Sequence, residues 1–223
     1  MRVVFLNQTF HPDVAATAQH AFDLARHLAA QGHEVHAVAS RSLYGERGVA
    51  LPAEETVEGV RIHRVGRSWF GKAGIAARLL DFVRFIASST RRLLALPRPD
   101  VIVCLTTPPF IALAGLLARR LRGGRVVIWS MDLYPEAPVA FGVMRRGSLL
   151  VRLATKIDRF CLNRADAVVA LGRCMRDRLL AKGVDPDRLH VIGVWSDERE
   201  IDDAGDANRY RDRWGVGDRF LVM

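Results

Sequence analysis

The chain has 223 residues, of which 50% are hydrophobic, and its formal net charge at pH 7 is +9. This length suits one α/β domain, or one domain and a fragment of another, and the apolar half is ample for a core. No apolar stretch reaches membrane-spanning length, and the N-terminus lacks the basic-then-apolar pattern of a signal peptide. We therefore expect a cytoplasmic protein in which Cys104, Cys161 and Cys174 are buried, reduced and not spaced for a metal.

Most of the positive charge is arginine, since lysine occurs only at Lys72, Lys156 and Lys182. A basic balance favours phosphate-rich partners: nucleic acid, anionic lipid or diphosphate-linked substrates. An arginine-rich genome would produce the same excess. No nucleic-acid-binding motif and no basic–aromatic platform accompany the charge, so we expect no nucleic acid partner.

Strand-like and helix-like segments alternate along the chain, which predicts an α/β fold with a Rossmann-like parallel sheet and helices on both faces. The predicted strands are residues 2–7, 34–40, 60–65, 101–105, 126–130, 167–171 and 189–194. The predicted helices are residues 16–31, 75–96, 111–122, 149–163 and 175–182. Residues 41–59 are predicted to be a polar loop. If the strand order is 3-2-1-4-5-6, which is common in such folds, the loops after the first and fourth strands flank the switch point of the sheet.

The end of the chain changes character after Trp195. Residues 197–206 are acidic and poor in large apolar side chains, which is typical of a linker, and residues 208–214 suit a short helix. Residues 219–223 read as the start of another strand. We therefore divide the chain into a domain at 1–197, a linker at 198–218 and the beginning of a second domain at 219–223.

Two fully apolar predicted strands each end in a proline-containing polar loop. The first is followed by Thr106 and Thr107, and the second by Asp132, Tyr134 and Glu136. Ligands of parallel sheets bind just beyond the carboxyl ends of the strands, so these side chains are candidates for a site. A carboxylate there can orient a hydroxyl group of a ligand or accept its proton.

The loop after the first strand, residues 8–17, contains no glycine. A dinucleotide-binding turn needs glycine so that the backbone can approach a pyrophosphate, which argues against a nicotinamide or flavin dehydrogenase. With that strand order, this loop lies beside the switch point of the sheet. His11, Asp13, Thr17 and Gln19 are then placed to hydrogen-bond a ligand. Alternatively, Asp13 or Thr17 caps the following helix.

Four segments carry a family resemblance: FHPDVAATAQ at 10–19, TTPPF at 106–110, DLYPE at 132–136 and ADAVV at 165–169. They resemble the N-terminal half of a family 4 glycosyltransferase with the GT-B fold. The subgroup extends cell-surface polysaccharides, such as O-antigen, capsule and colanic acid, on lipid carriers. One departure is that Gly193 and Val194 precede Trp195, where the subgroup has a Pro-Asn pair near the interdomain hinge.

The resemblance implies a retaining, metal-independent transferase without a cofactor. Its substrates would be a nucleotide-sugar and a polyprenyl-diphosphate-linked acceptor, and a C-terminal domain would hold the donor. Asp132 and Glu136 are then the candidate catalytic residues, while Thr106, Thr107 and Tyr134 join the first loop in binding substrate. The alternatives are that Asp132 pairs with an arginine, that Glu136 begins a helix favoured by its dipole, and that Tyr134 only packs.

The segment from Trp69 to Leu96 combines a wide apolar surface with Lys72 and several arginines. It predicts either a core helix with a solvated basic face or contact with an anionic membrane, which would make the protein peripheral on the inner face of the plasma membrane. Two other functions stay open: a truncated, non-catalytic binding module of the same fold, and a sugar-nucleotide epimerase of GT-B shape.

Overall fold

Helices and strands alternate along the chain and build one sheet with helices on both faces. The structure, a computed structural model, describes residues 1–43, 50–66, 75–195, 209–217 and 219, with only the backbone for 75–79, 209 and 210. The strands are β1 (Arg2–Leu6), β2 (Glu34–Ser40), β3 (Glu54–Val57), β4 (Val60–Val65), β5 (Val101–Cys104), β6 (Arg125–Ser130), β7 (Ala167–Ala170) and β8 (Leu189–Val191). The helices are α1 (Ala16–Ala30), α2 (Ile75–Ala95), α3 (Ala112–Arg122), α4 (Glu136–Ala140), α5 (Leu149–Arg164), α6 (Arg173–Ala181) and α7 (Arg209–Trp214), with a 3₁₀ turn at Pro186–Arg188.

The strands lie in the order β3-β4-β2-β1-β5-β6-β7-β8. All neighbours are parallel except β3, which pairs antiparallel with β4. The chain builds outward from β1 in both directions, so the winding reverses between β1 and β5, where Val4 pairs with both His36 and Ile102. The predicted α/β class is therefore confirmed. The six strands first predicted lie in the common 3-2-1-4-5-6 order, so the switch point lies between the loops that follow β1 and β5.

Each face of the sheet has its own apolar core. On one face, α1 buries Ala21, Phe22 and Ala25 against Phe5 and Ile62. The other face is covered by α2, α3, α5 and α6, whose buried side chains pack on those of β1, β5, β6 and β7. Apolar runs such as those of β5 and β6 are required because both faces are covered.

Helix α3 lies unusually close to β5. A Cβ atom on Gly115 would stand 2.6 Å from the Sγ atom of Cys104. Real Cβ atoms do not approach a sulfur that closely, so only glycine permits this helix–strand spacing.

A chain of hydrogen bonds joins α2 to the sheet across β4 and β2. The guanidinium of Arg92 donates to Nδ1 of His63 at 2.7 Å, Nε2 of His63 lies 2.9 Å from Nδ1 of His36, and Nε2 of His36 lies 3.0 Å from a carboxylate oxygen of Glu34. Both rings are buried and stacked, with centroids 5.2 Å apart. Burial, with the cation of Arg92 beside it, lowers the pKa of His63 to about 4. Hydrogen bonds from Arg2 and His36 lower the pKa of Glu34 to about 2.

Three expectations need correction or adjustment. The predicted polar loop at 41–59 contains β3, because Glu58 and Gly59 both adopt positive φ and turn the chain into a hairpin. Cys174 is exposed, unlike Cys104 and Cys161, because it lies on the solvent side of α6. The last strand, β8, ends at Val191 instead of 194.

Several predicted features fall on residues that the structure does not describe. The acidic part of the predicted linker, residues 197–206, is one of them. The others are the predicted strand at 219–223, apart from Arg219, and the beginning of the Trp69–Leu96 segment, which includes Lys72. The short helix expected at 208–214 corresponds to α7. Across the described ranges, no helix is both long and apolar enough to cross a membrane.

Candidate active site

Backbone and side-chain hydrogen bonds tie together the loops that follow β1, β5 and β6. The amide of Gln8 donates to the carbonyl of Thr107 at 2.7 Å, and the amide of Asp132 donates to Oγ1 of Thr106 at 3.1 Å. Each loop also contains a cis X–Pro bond, at His11–Pro12, Thr107–Pro108 and Tyr134–Pro135. The carboxyl edge of the sheet at the switch point is thus one connected surface.

A small cleft of about 30 Å³ lies between the ends of β5 and β6 and the helices α3, α5 and α6. Its polar lining includes Thr106, Ser130, Asp132, Tyr134 and Lys182. Its apolar lining comes from Leu105, Phe110, Ile111, Leu133 and Leu162, among others. A mostly apolar cleft with a few convergent polar groups is the usual form of a small-molecule site.

The Asp132 side chain is exposed at this cleft. The alternative was that Asp132 forms a structural ion pair with an arginine. In the part of the chain that the structure describes, no arginine pairs with it. Because Thr106 accepts from the amide of Asp132, its own hydroxyl proton stays free to donate. The two loops therefore present one acceptor and one donor side by side.

Tyr134 lines the same cleft and is partly buried. Burial, and then the negative charge of Asp132, raises the pKa of its hydroxyl. The phenol is therefore protonated at neutral pH and can donate a hydrogen bond.

Glu136 begins α4 and pairs with a lysine that no local sequence pattern identifies. The buried ammonium of Lys182, whose side chain is 5% exposed, lies 2.8 Å from the carboxylate of Glu136 and 2.6 Å from that of Asp158. It also donates to the carbonyl of Tyr134 at 2.6 Å. Burial raises the pKa of Asp158, against the opposing effect of the lysine. Lys182 thereby fastens the loop after β6 to α5 and α6.

The candidate residues of the loop after β1 make contacts of several kinds. The imidazole of His11 stacks on Phe22 with centroids 4.3 Å apart, and its carbonyl accepts from the guanidinium of Arg64 at 2.6 Å. Asp13 is buried and accepts from the amide of Ala15 at 3.0 Å. Asp13 thus stabilises the loop that leads into α1.

Thr17 and Gln19 lie in the first turn of α1. The hydroxyl of Thr17 is 3.1 Å from that of Thr9, and Gln19 is exposed. The N-cap of α1 is Ala15, which makes no side-chain capping bond, so neither Asp13 nor Thr17 is the capping residue. Thr107 is joined to this loop by the hydrogen bond from Gln8, whereas no contact joins Gln19 to the cleft among the described residues.

The two remaining sequence features lie away from the cleft. Asp166 of the ADAVV segment accepts from the amide of Val126 at 2.7 Å and pairs with Arg119 at 2.8 Å, which is a structural role at the opposite edge of the sheet. Trp195 stacks on Trp129 with centroids 5.5 Å apart and meets His20 edge-on at 5.6 Å. The tryptophan that follows the altered Gly-Val pair is therefore packed against the α1 face of the sheet.

No group of three or more His, Cys, Asp or Glu side chains suited to holding a metal ion occurs within the described ranges. The chemistry that the described cleft can offer is hydrogen bonding to hydroxyl groups and proton acceptance by a carboxylate.

Known proteins share this architecture and part of this sequence. Residues 16–195 match the family described as Glycosyl transferase 4-like domain. WcaI of Escherichia coli, named for colanic acid biosynthesis, is 25% identical over 217 residues, which cover 93% of this chain and 53% of WcaI. A GDP-mannose-dependent alpha-mannosyltransferase of Mycobacterium tuberculosis is 27% identical over 223 residues, covering 100% of this chain and 54% of that protein. The chain thus spans about half the length of these curated relatives.

Among solved structures, HepE of Anabaena in complex with UDP-glucose superposes with a TM-score of 0.61 at 16% identity, over 99% of this chain and 51% of HepE. This likeness shows the fold, which is that of the N-terminal half of a GT-B glycosyltransferase.

Proposed function

Because the chain belongs to the glycosyl transferase 4-like family, we propose that it is the acceptor-side half of a glycosyltransferase. The enzyme transfers a sugar from a nucleotide-sugar donor to a lipid-linked saccharide in the synthesis of cell-envelope polysaccharide. The names of two relatives support this proposal. One name refers to colanic acid biosynthesis, and the other refers to a mannosyltransferase that depends on GDP-mannose.

The observation that carries the proposal is the cleft in which Asp132, Thr106 and Tyr134 converge at the carboxyl edge of β5 and β6. In our mechanism an acceptor hydroxyl binds to the carboxylate of Asp132, which orients it for attack as the bond between the anomeric carbon and the donor diphosphate breaks, and the proton of the hydroxyl passes to the departing diphosphate. The hydroxyls of Thr106 and Tyr134 donate to neighbouring oxygens of the acceptor sugar. Glu136, held by Lys182, keeps the loop in this position and supplies the second carboxylate.

The loop after β1 forms the other wall of the proposed sugar site. Its proposed contacts are His11, Asp13, Thr17 and Gln19, with Thr107 joined to them through the backbone bond to Gln8. Gln19 is the exposed side chain of this group.

The donor half of the reaction lies outside the described residues in this proposal. A second domain would hold the nucleotide-sugar and stabilise the charge on the departing diphosphate, which is usually the largest catalytic contribution. The transfer would proceed with retention at the anomeric carbon, without a bound metal and without a cofactor. UDP-glucose and GDP-mannose are the first donors to test, since they occur in the names of proteins similar to this chain.

We also retain the membrane contact proposed for the Trp69–Leu96 segment. In its described part, α2 exposes Leu80, Val83, Arg84 and Arg91 while burying Phe85. Flotation with vesicles that contain or lack anionic lipid tests it, and association that ignores the anionic lipid contradicts it.

The experiment for the catalytic proposal uses a protein that comprises this chain and its donor-binding half. Transfer from labelled UDP-glucose and GDP-mannose to a polyprenyl-diphosphate-linked sugar is measured for the wild type and for Asp132→Asn. We expect turnover to fall by about 10² or more because the carboxylate that orients the acceptor hydroxyl is lost. The thermal midpoint should hardly change, because exposed substitutions alter stability by about 0.5 kcal/mol or less.

The matched control is Asp187→Asn, which removes an exposed carboxylate of the 3₁₀ turn outside the cleft. Equal turnover of Asp132→Asn and the control would refute the role of Asp132. NMR of the product reports whether the anomeric configuration is retained. A complete absence of transfer with both donors would favour the non-catalytic binding module.

A further inference from the structure

The carboxyl end of β1 carries a buried asparagine beside the loop that leads into α1. Asn7 follows β1 directly and is 1% exposed. Its backbone amide donates to the carbonyl of Val38 at 3.3 Å. The next residue, Gln8, is hydrogen-bonded to Thr107 on one side and to Ser40 on the other. Asn7 is therefore fixed to the sheet at the switch point, and it is a rigid support for the residues that its side chain contacts.

The side-chain amide of Asn7 makes two contacts with a single residue. Its nitrogen, Nδ2, lies 2.7 Å from the carbonyl oxygen of Thr9 and 3.1 Å from the hydroxyl oxygen of the same residue. A carbonyl oxygen can only accept, so the NH₂ group of the amide must face Thr9 and the amide oxygen must point away. That oxygen, Oδ1, is buried and has no hydrogen-bond partner in the part of the chain that the structure describes.

The unpaired oxygen of Asn7 indicates a role other than stability. A buried polar atom without a partner costs free energy, and native proteins keep few of them. An apolar side chain of similar size would fill the same space without that cost. The hydrogen bonds that Asn7 donates to Thr9 are therefore the property that distinguishes it from a packing residue.

The hydrogen bonds continue from Thr9 to α1 in one direction. The hydroxyl oxygens of Thr9 and Thr17 are 3.1 Å apart. The oxygen of Thr9 already accepts from Asn7, and the residue is buried with no third partner within the described ranges, so its proton can go only to Thr17. The oxygen of Thr17 is therefore the acceptor in this pair, and its own proton remains to be donated elsewhere.

We propose that Asn7 and Thr9 are positioning residues, which set the hydroxyl of Thr17 as a hydrogen-bond donor to an oxygen atom of the bound acceptor sugar. Thr17 lies in the first turn of α1, is partly exposed and has no side-chain partner other than Thr9 among the described residues. The inference rests on the proposed function and adds the direction of one contact to it. The sugar atom that faces Thr17 is an acceptor: a hydroxyl, ring or linking oxygen.

The test measures transfer to the polyprenyl-diphosphate-linked sugar by a protein that comprises this chain and its donor-binding half. Thr9→Val keeps the shape of the side chain but removes the hydroxyl, so Thr17 loses the group that orients it. We expect KM for the acceptor to rise about fivefold, which is the effect of one neutral hydrogen bond, while kcat hardly changes. Thr9→Ser restores the hydroxyl and should return KM close to the wild-type value.

A double-mutant cycle separates positioning from folding. Thr17→Val removes the donor itself and should raise KM at least as much as Thr9→Val does. In the Thr17→Val background, Thr9→Val should have no further effect on KM, because the hydroxyl that it orients is already absent. If Thr9 served the fold alone, its substitution would lower the thermal midpoint and its effect on KM would be independent of Thr17.

The matched control is Thr155→Val, which removes a hydroxyl that donates to the carbonyl of Val151 within α5. It should leave KM unchanged. Asn7→Asp provides a second test of direction, because it places a carboxylate oxygen against the carbonyl of Thr9 and repels it. This variant should raise KM more than Thr9→Val does.

The possible failures of the inference and of the proposed function differ in the wild type. If the wild type transfers sugar but Thr9→Val leaves KM unchanged, the positioning role is refuted and the proposed function stands. Additive effects of Thr9→Val and Thr17→Val would refute it equally, as would a rise confined to the KM of the nucleotide-sugar donor. If the wild type transfers nothing, the proposed function fails, and the inference fails with it.

Discussion

The ammonium of Lys182 is the contact whose removal has the most specific consequence. In Lys182→Met, the carboxylates of Glu136 and Asp158 would face each other in the wall of the cleft with no cation between them. The carbonyl of Tyr134 would lose its donor as well. Breaking a buried ion pair from one side costs about 3–5 kcal/mol, because the remaining charge stays buried and uncompensated.

The side chain of Glu136 is 40% exposed, so solvent screens part of this penalty and the lower end applies. We expect a loss of about 3 kcal/mol in the free energy of unfolding, measured by equilibrium urea denaturation. For a protein of this size, that corresponds to a fall of about 6–12 °C in thermal midpoint. The control Lys156→Met removes the same charge from the solvent face of α5 and should cost about 0.5 kcal/mol or less.

The stability lost in Lys182→Met also depends on pH, and the surroundings of Asp158 determine whether that loss grows or shrinks as pH rises. Burial already raises the pKa of Asp158, and loss of the lysine removes the group that opposes this rise. A carboxyl whose folded pKa lies above its unfolded value stabilises the fold at acidic pH and loses that contribution as pH rises. Lys182→Met should thus be less destabilised at pH 5 than at pH 8, and Asp158→Asn should restore part of the stability. A deficit below about 1 kcal/mol, or one independent of pH, would refute the buried ion triad.

Two further predictions concern the fold. Gly115→Ala should destabilise the protein by about 1–3 kcal/mol in urea denaturation, because the added Cβ would overlap the sulfur of Cys104. Cys104→Ala should relieve most of that loss. If the effects of the two substitutions were simply additive, the close contact would be contradicted. The pKa of His63 is about 4 when folded and 6.5 when unfolded, so its contribution is present above pH 6.5 and is lost as pH falls toward 4. That loss amounts to about 3 kcal/mol. His63→Asn should flatten the dependence of the free energy of unfolding on pH in this range. If that dependence stayed the same, a buried, neutral ring at His63 would be ruled out.

The sheet could be predicted from the sequence because parallel strands covered on both faces are continuous apolar runs. The segments that became β5 and β6 have this character, and their prolines and polar residues marked the loops that follow. The antiparallel β3 was missed because its four residues include two glutamates and lie at the sheet edge. The available signal was the Glu58-Gly59 pair before Val60, which suits a two-residue hairpin turn.

The candidate site was predictable only in its loops. Asp132 and Thr106 could be placed because both follow strands directly and therefore meet at one edge of the sheet. Lys182 could not, since it lies 46 residues from Glu136 at the end of a different helix and has no local pattern. Ion pairs of this kind depend on how helices pack, and a single sequence does not report helix packing.

The chain of groups from Arg92 to Glu34 has a direction. A guanidinium can only donate, so Nδ1 of His63 must be the acceptor and its proton must lie on Nε2. That proton then points at Nδ1 of His36, whose own proton must lie on Nε2, toward the carboxylate of Glu34. Moving the proton of either ring to its other nitrogen would bring two donors or two acceptors face to face. These hydrogen bonds therefore fix the rotational position of α2 on the sheet. If the helix were shifted by one residue, the guanidinium of Arg92 would no longer face Nδ1 of His63.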